Sequence, residues 1–266
     1  MPYEIYRQAL RLGQKESKLC LAQGKDPYLA VLPEEAEHCT RREFLGVLDI
    51  PVQAIAGTRT EGRRISFSPS FYPLLEGRCE FSTKWAELCD AHLSEGIREP
   101  IKAVEYLHRY YVVEGNKRVS VLKFFGAVNL PGEVTRLIPE RSEEPEIVAY
   151  YEFLQFYRLT GIHYVPFRRP GEYAELAKIL DYPDNASWSA EQIYTFRSFF
   201  HTFQDAFLGR GGNPDAVPEA MLVYLHIFGY QDSQHKLPAD ISRELPSIRE
   251  VGGQAVLGRQ HLKPTP

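Results

Sequence analysis

The stretch from Tyr110 to Ala127, YYVVEGNKRVSVLKFFGA, constrains this chain more than any other. Tyr111, Val112 and Val113 are successive β-formers. Glu114, Gly115 and Asn116 then make a tight turn, after which Val119, Leu122 and Phe125 recur at helical spacing. A strand that ends on glycine and turns at once into a helix leaves the first helical amides without intrahelical partners. Two cations, Lys117 and Arg118, sit at that same end. Glycine permits close backbone approach, the helix end supplies N–H groups, and the cations neutralise charge, which together make the chemistry of a phosphate-holding turn.

The neighbouring segments place this turn in a small sheet. FLGVLDIPVQAIAG reads as a short strand broken at Pro51 and stopped at Gly57, and a loop with Arg59, Arg63 and Arg64 follows it. Phe81, Trp85, Leu88, Cys89 and His92 share a helical face that ends at Gly96. Ile101–Tyr106 and Tyr110–Glu114 read as a hairpin turning near Leu107–Arg109, and a last strand falls around Val134–Ile138. Upstream, residues 2–22 form an amphipathic docking helix and 24–40 a connector. Beyond Glu140 the pattern is helical. Its clearest helix opens on Ser189 and Gln192 at capping-box spacing and carries Phe196, Phe199, Phe200, Phe203 and Phe207 as a core stripe. The expected fold class is therefore α+β: a small mixed sheet with helices over 43–140, preceded by a helix and connector over 1–42. An all-helical region over 141–258 and a disordered tail over 259–266 complete the expected organisation.

Composition removes several function classes. The chain has 266 residues, 44% of them hydrophobic, and needs no staples to fold. Its net charge of −4 gives no global basic field, so DNA binding is not supported by charge and would have to be local. Cys20, Cys39, Cys79 and Cys89 lie far apart with no metal-binding spacing, as ordinary thiols in a reducing compartment would. No signal-peptide pattern opens the chain and no run of about 18 apolar residues occurs in it, so the expectation is a cytoplasmic protein with no membrane partner.

Four pieces in order, DIPVQAI (Asp49–Ile55), GTRTEGRR (Gly57–Arg64), EGIREPIKAV (Glu95–Val104) and VVEGNKRVSVLKFFGA, resemble the ParB and sulfiredoxin superfamily over roughly residues 43–140. The whole chain is similar to a bacterial ParB-like group. The resemblance implies that a nucleoside triphosphate, CTP or ATP, with or without magnesium, is held by its phosphates at the strand-to-helix turn. By position, Gly115, Asn116, Lys117 and Arg118 cradle those phosphates, Arg63 approaches from the facing loop, and Ser120 adds a hydroxyl. Departures from the family pattern narrow this. Asn116 stands where sulfiredoxins need cysteine, so reductase chemistry has no nucleophile. G-N-K-R replaces the partition proteins' G-E-R-R, and Phe153 replaces the Asn of their E-N-L-Q-R metal stretch; no metal ligand is assigned.

Three readings follow. The first is a nucleotide-binding regulatory protein. The second is a small-molecule kinase or nucleotide hydrolase of the free-serine-kinase type, with Glu61 as the catalytic base. The third is a DNA-associated ParB-like transcriptional or partition factor, concentrating its few basic residues as a homodimer.

Overall fold

β-Formers run up to Pro51, which closes an edge strand, where a proline's missing N–H is well tolerated. The structure, a computed structural model, describes residues 2–182, 186–245, 248–251 and 254–257. The chain divides into two compact units, Met1–Glu140 and Arg141–Pro266.

The first unit runs α1 (Pro2–Ala22), β1 (Ala30–Val31), α2 (Glu34–Glu37), β2 (Arg41–Pro51), β3 (Ile55–Thr58), α3 (Glu61–Arg64), α4 (Glu80–Ser94), β4 (Ile101–Tyr106), β5 (Arg109–Glu114), α5 (Asn116–Phe124) and β6 (Asn129–Ile138). Its six-stranded mixed sheet has the order β1-β3-β5-β4-β6-β2. The segment expected as one broken strand is two: β2 pairs antiparallel with β6 at one edge, while β3 lies parallel to β5. A single 3-10 turn, Val52–Ala54, separates them. β4 and β5 form the expected hairpin, and Leu107 and His108 between them both have positive φ (47° and 64°), as a two-residue turn matched to strand twist requires. β6 is longer than the sequence suggests because it pairs along its length with β2 and is also parallel to β4.

Alternation along β4 and β5 buries both faces. Ala103, Tyr110 and Val112 join Ile50, Ile55, Phe67, Ile101, Val119 and Leu122 on one side. Val104 and Tyr111 join Leu32, Ala36 and Leu137 on the other. Residues 1–42, expected as a docking helix and a connector, fall in the same compact unit as the sheet. α1 packs on α4 through Tyr6, whose ring lies 5.4 Å from Trp85, and the expected connector supplies β1 and α2.

In the second unit, α6 (Pro145–Thr160), α7 (Glu172–Leu180), α8 (Ala190–Gly209), α9 (Val217–Phe228) and α10 (Pro238–Glu244) follow. Ser189 and Gln192 cap α8 reciprocally, and all five phenylalanines of its stripe are buried. The region is not all-helical, however. Within the stretch over 141–258 expected to be all-helical, α10 ends at Glu244, and β7 (Ile248–Val251) and β8 (Gln254–Leu257) form an antiparallel pair. Leu245 precedes Pro246 and is extended (φ −71°, ψ 95°), as the clash of a proline ring with the preceding residue dictates. The tail expected to be disordered lies outside the described residues.

Candidate functional site

The β5-to-α5 turn is built around a conformation that only glycine takes cheaply. Gly115 has φ +107°, and a Cβ there would stand 2.8 Å from Ile101 Cγ2. α5 starts directly after it with no side-chain cap, so its first amides have no side-chain partner from the N-cap.

An open cleft of about 230 Å³ lies at this point. Glu114, Gly115, Asn116, Lys117 and Arg118 form one wall, Arg63 comes from α3, and Phe67, Phe81, Leu88 and Val113 make an apolar side. The structure thus brings Arg63, Gly115, Asn116, Lys117 and Arg118 together from segments more than fifty residues apart in sequence.

The two more exposed cations feel the Glu80 carboxylate without being in direct contact with it. Lys117 and Arg63 have no ion-pair partner among the described residues, whereas neighbouring Arg64 is taken by Asp26 and Glu61. Lys117 Nζ sits 4.9 Å from the Phe81 ring centroid, a cation–π contact. Burial, and after it the like charges of Lys84 and Arg63, hold the Lys117 pKa below the ordinary lysine range. A desolvated ammonium among other cations is a place of high positive potential, and an anion relieves it.

Asn116 and Arg118 are spent differently from what their sequence position suggests. Asn116 is 9% exposed, and its Nδ2 donates to Thr58 Oγ1 at 3.3 Å, tying the start of α5 to β3. Its Oδ1 is buried with no hydrogen-bond partner among the described residues. Arg118 lines the cleft, but its guanidinium turns back: Nη1 donates to the Pro100 carbonyl at 2.6 Å and the Glu99 carbonyl at 3.2 Å. The Glu99 and Glu114 carboxylates stand 3.3 and 3.7 Å away. It clamps the loop entering β4 to the turn.

Two expected residues fall outside the cleft. Ser120 is fully buried, and its hydroxyl accepts the Trp85 indole N–H at 2.9 Å, joining α5 to α4. Glu61 is on exposed α3, is paired with Arg64 at 3.1 Å, and does not line the cleft, which removes the observation on which a catalytic-base role would rest. The stretch Glu152–Phe156 is likewise structural, with Phe153 and Phe156 buried and Glu152 accepting the Gly171 N–H at 2.8 Å. No group of three or more His, Cys, Asp or Glu side chains able to hold a metal ion occurs among the described residues.

Sequence reasoning missed the apolar wall and its rim. Phe81 and Leu88 share the helical spacing of Trp85, and spacing does not separate a core residue from one at a core's open edge. Cys79, at the N-cap of α4, is exposed, and its thiol pKa is lowered, first by the Ser82 backbone amide and more weakly by Lys117.

No protein-family model matches the chain, and no curated protein does either. The cleft's donor set fits an anionic group: uncapped amides on a glycine turn that a Cβ would obstruct, two cations without a direct ion pair among the described residues, and an apolar surface beside them.

Proposed function

We propose that this protein is a nucleotide-binding regulatory protein of the ParB and sulfiredoxin type, holding the phosphates of CTP or ATP at the Gly115–Arg118 turn. The observation that carries this reading is the pairing of Lys117 and Arg63, neither in a direct ion pair among the described residues, with the uncapped start of α5. The ordered resemblance supports it further, since its four pieces lie on β2, β3, α3, β4, β5 and α5 around one sheet. Phosphate contact falls to the amides, Lys117 and Arg63, and Arg118 sets the turn's shape.

Enclosed ligand pockets measure roughly 300–1,000 Å³. At about 230 Å³ the cleft is smaller, so the phosphates enter it and the nucleoside lies at its open rim, near Phe81 and Val113. A magnesium ion, where one is used, arrives on the triphosphate and keeps its own waters.

The test is a thermal-shift panel of ATP, CTP, GTP and their diphosphates, with and without magnesium. A ligand at about 100 times its dissociation constant stabilises the folded chain by about 2.7 kcal/mol, a shift of a few degrees. No shift with any of them would sink the reading.

A further inference from the structure

We propose that β2 is a self-association edge, along which two copies of this chain join antiparallel about a two-fold axis at Leu45 and Gly46 to make one continuous sheet. The inference does not rest on the nucleotide reading and goes beyond it.

β2 stands at one end of the strand order and pairs with β6; among the described residues no strand lies on its other side. At eleven residues it is a long edge, against two in β1 at the opposite end. Such an edge presents a row of backbone donors and acceptors that a further strand can use. Its side chains are not arranged to refuse one. The strand carries no lysine, Phe44 is 67% exposed and Val47 is 60% exposed.

The ladder with β6 shows which of these side chains share a face. Phe44 stands opposite Thr135 but Gly46 stands opposite Val134, so Leu45 is an extra residue and the alternation is reset there. Arg42 opposite Leu137, Phe44 opposite Thr135, Val47 opposite Glu133 and Asp49 opposite Pro131 therefore all project from one face. Arg42 and Asp49 are exposed as well. Without the bulge, Arg42 and Phe44 would lie on one face and Val47 and Asp49 on the other.

A two-fold axis normal to the sheet keeps each face on its own side, so these four residues meet their counterparts. With the axis at the bulge, Arg42 lies opposite Asp49 of the second copy and Phe44 lies opposite its Val47, and symmetry makes each contact twice. Slipping the copies by one pleat repeat sets Arg42 opposite Val47 in one direction and Phe44 opposite Asp49 in the other, and a smaller slip sets unlike faces together. Charge and apolar contact thus agree on a single register. The bulge twists the edge away from an indiscriminate strand, whereas a copy bearing the same bulge follows the same path. Two short strands bury an area at the small end of specific interfaces, so the dimer is weak and concentration-dependent.

Sedimentation velocity of the whole chain from about 1 to about 500 µM tests this, a span that covers weak reversible association. The unaltered protein is expected to pass from monomer to dimer. Arg42→Asp or Asp49→Arg alone sets like charges opposite each other and is expected to weaken the dimer about tenfold, while the double exchange of both residues recovers it. Val47→Lys, at an exposed position, is expected to abolish the dimer and keep the melting temperature of the dilute protein. A chain that stays monomeric throughout overturns the proposal. So does a dimer that Val47→Lys leaves intact, which would place the interface elsewhere. Single reversals without recovery in the double exchange overturn the register and the proposal with it. Should a charge variant fail to fold, Val47→Lys and the unaltered chain still decide.

Discussion

The ammonium of Lys117 lies 4.9 Å from the centroid of the Phe81 ring, where the like charges of Lys84 and Arg63 also act on it. A cation in that position is poorly placed for the empty protein and well placed for an anionic ligand. Lys117→Met is expected to leave the melting temperature unchanged or raised, because it relieves desolvation and repulsion. It is expected to weaken nucleotide binding by about 10- to 100-fold, the worth of a charge-assisted hydrogen bond. Paired melting and binding curves check both halves; a loss of stability would show the charge to be structural.

The same pKa shift fixes a pH dependence. Lys117 has a folded pKa below its unfolded one, so between the two values the unfolded chain holds the extra proton and this residue's contribution to stability rises with pH. Nucleotide binding moves the other way and falls as pH rises through the depressed pKa. Urea titrations and binding isotherms across the alkaline range, compared with Lys117→Met, separate this residue's share from that of other groups.

Arg118 and Arg63 are predicted to part company. Arg118→Ala removes the donor to the Glu99 and Pro100 carbonyls and is expected to destabilise the chain by about 1–3 kcal/mol. Arg63→Ala, on an exposed turn and in no direct ion pair among the described residues, is expected to leave stability alone and weaken only the anion. Denaturant midpoints with nucleotide absent and present distinguish the two.

Gly115→Ala is expected to cost about 1–3 kcal/mol, from a left-handed backbone and a 2.8 Å approach to Ile101. Ser120→Ala is expected to cost a similar amount for another reason, because the buried Trp85 N–H loses its acceptor. Both are read from urea unfolding, and Trp85 fluorescence is expected to change in the serine variant.

Cys79 is predicted to be alkylated by iodoacetamide near neutral pH well before Cys39 or Cys89. The Ser82 amide lowers the Cys79 thiol pKa, and burial pushes the other two up. Mass spectrometry of briefly treated protein checks the order.

The turn itself was legible because three local signals agree there: a β-former run, a glycine at the hinge, and helical spacing afterwards. The distribution of work within it was not. Ser120 and Arg118 look like ligand residues until Trp85, Glu99 and Pro100 are seen to use them, and those partners come from other elements. Glu61 was more readable than its role as a base implied, since Glu61 and Arg64 have the three-residue spacing of a helical ion pair. The strand pair after α10 was hidden by an apparent helical pattern that ran across Pro246.

The proposed function turns on phosphate binding at the start of α5 through Lys117 and Arg63. Its most direct test is calorimetric titration of the unaltered chain and of the Arg63→Ala, Lys117→Met double variant with CTP and ATP. One saturable site, weakened about 100-fold or more in the double variant while its melting curve stays intact, is the predicted result. Equal affinity in both proteins would contradict it.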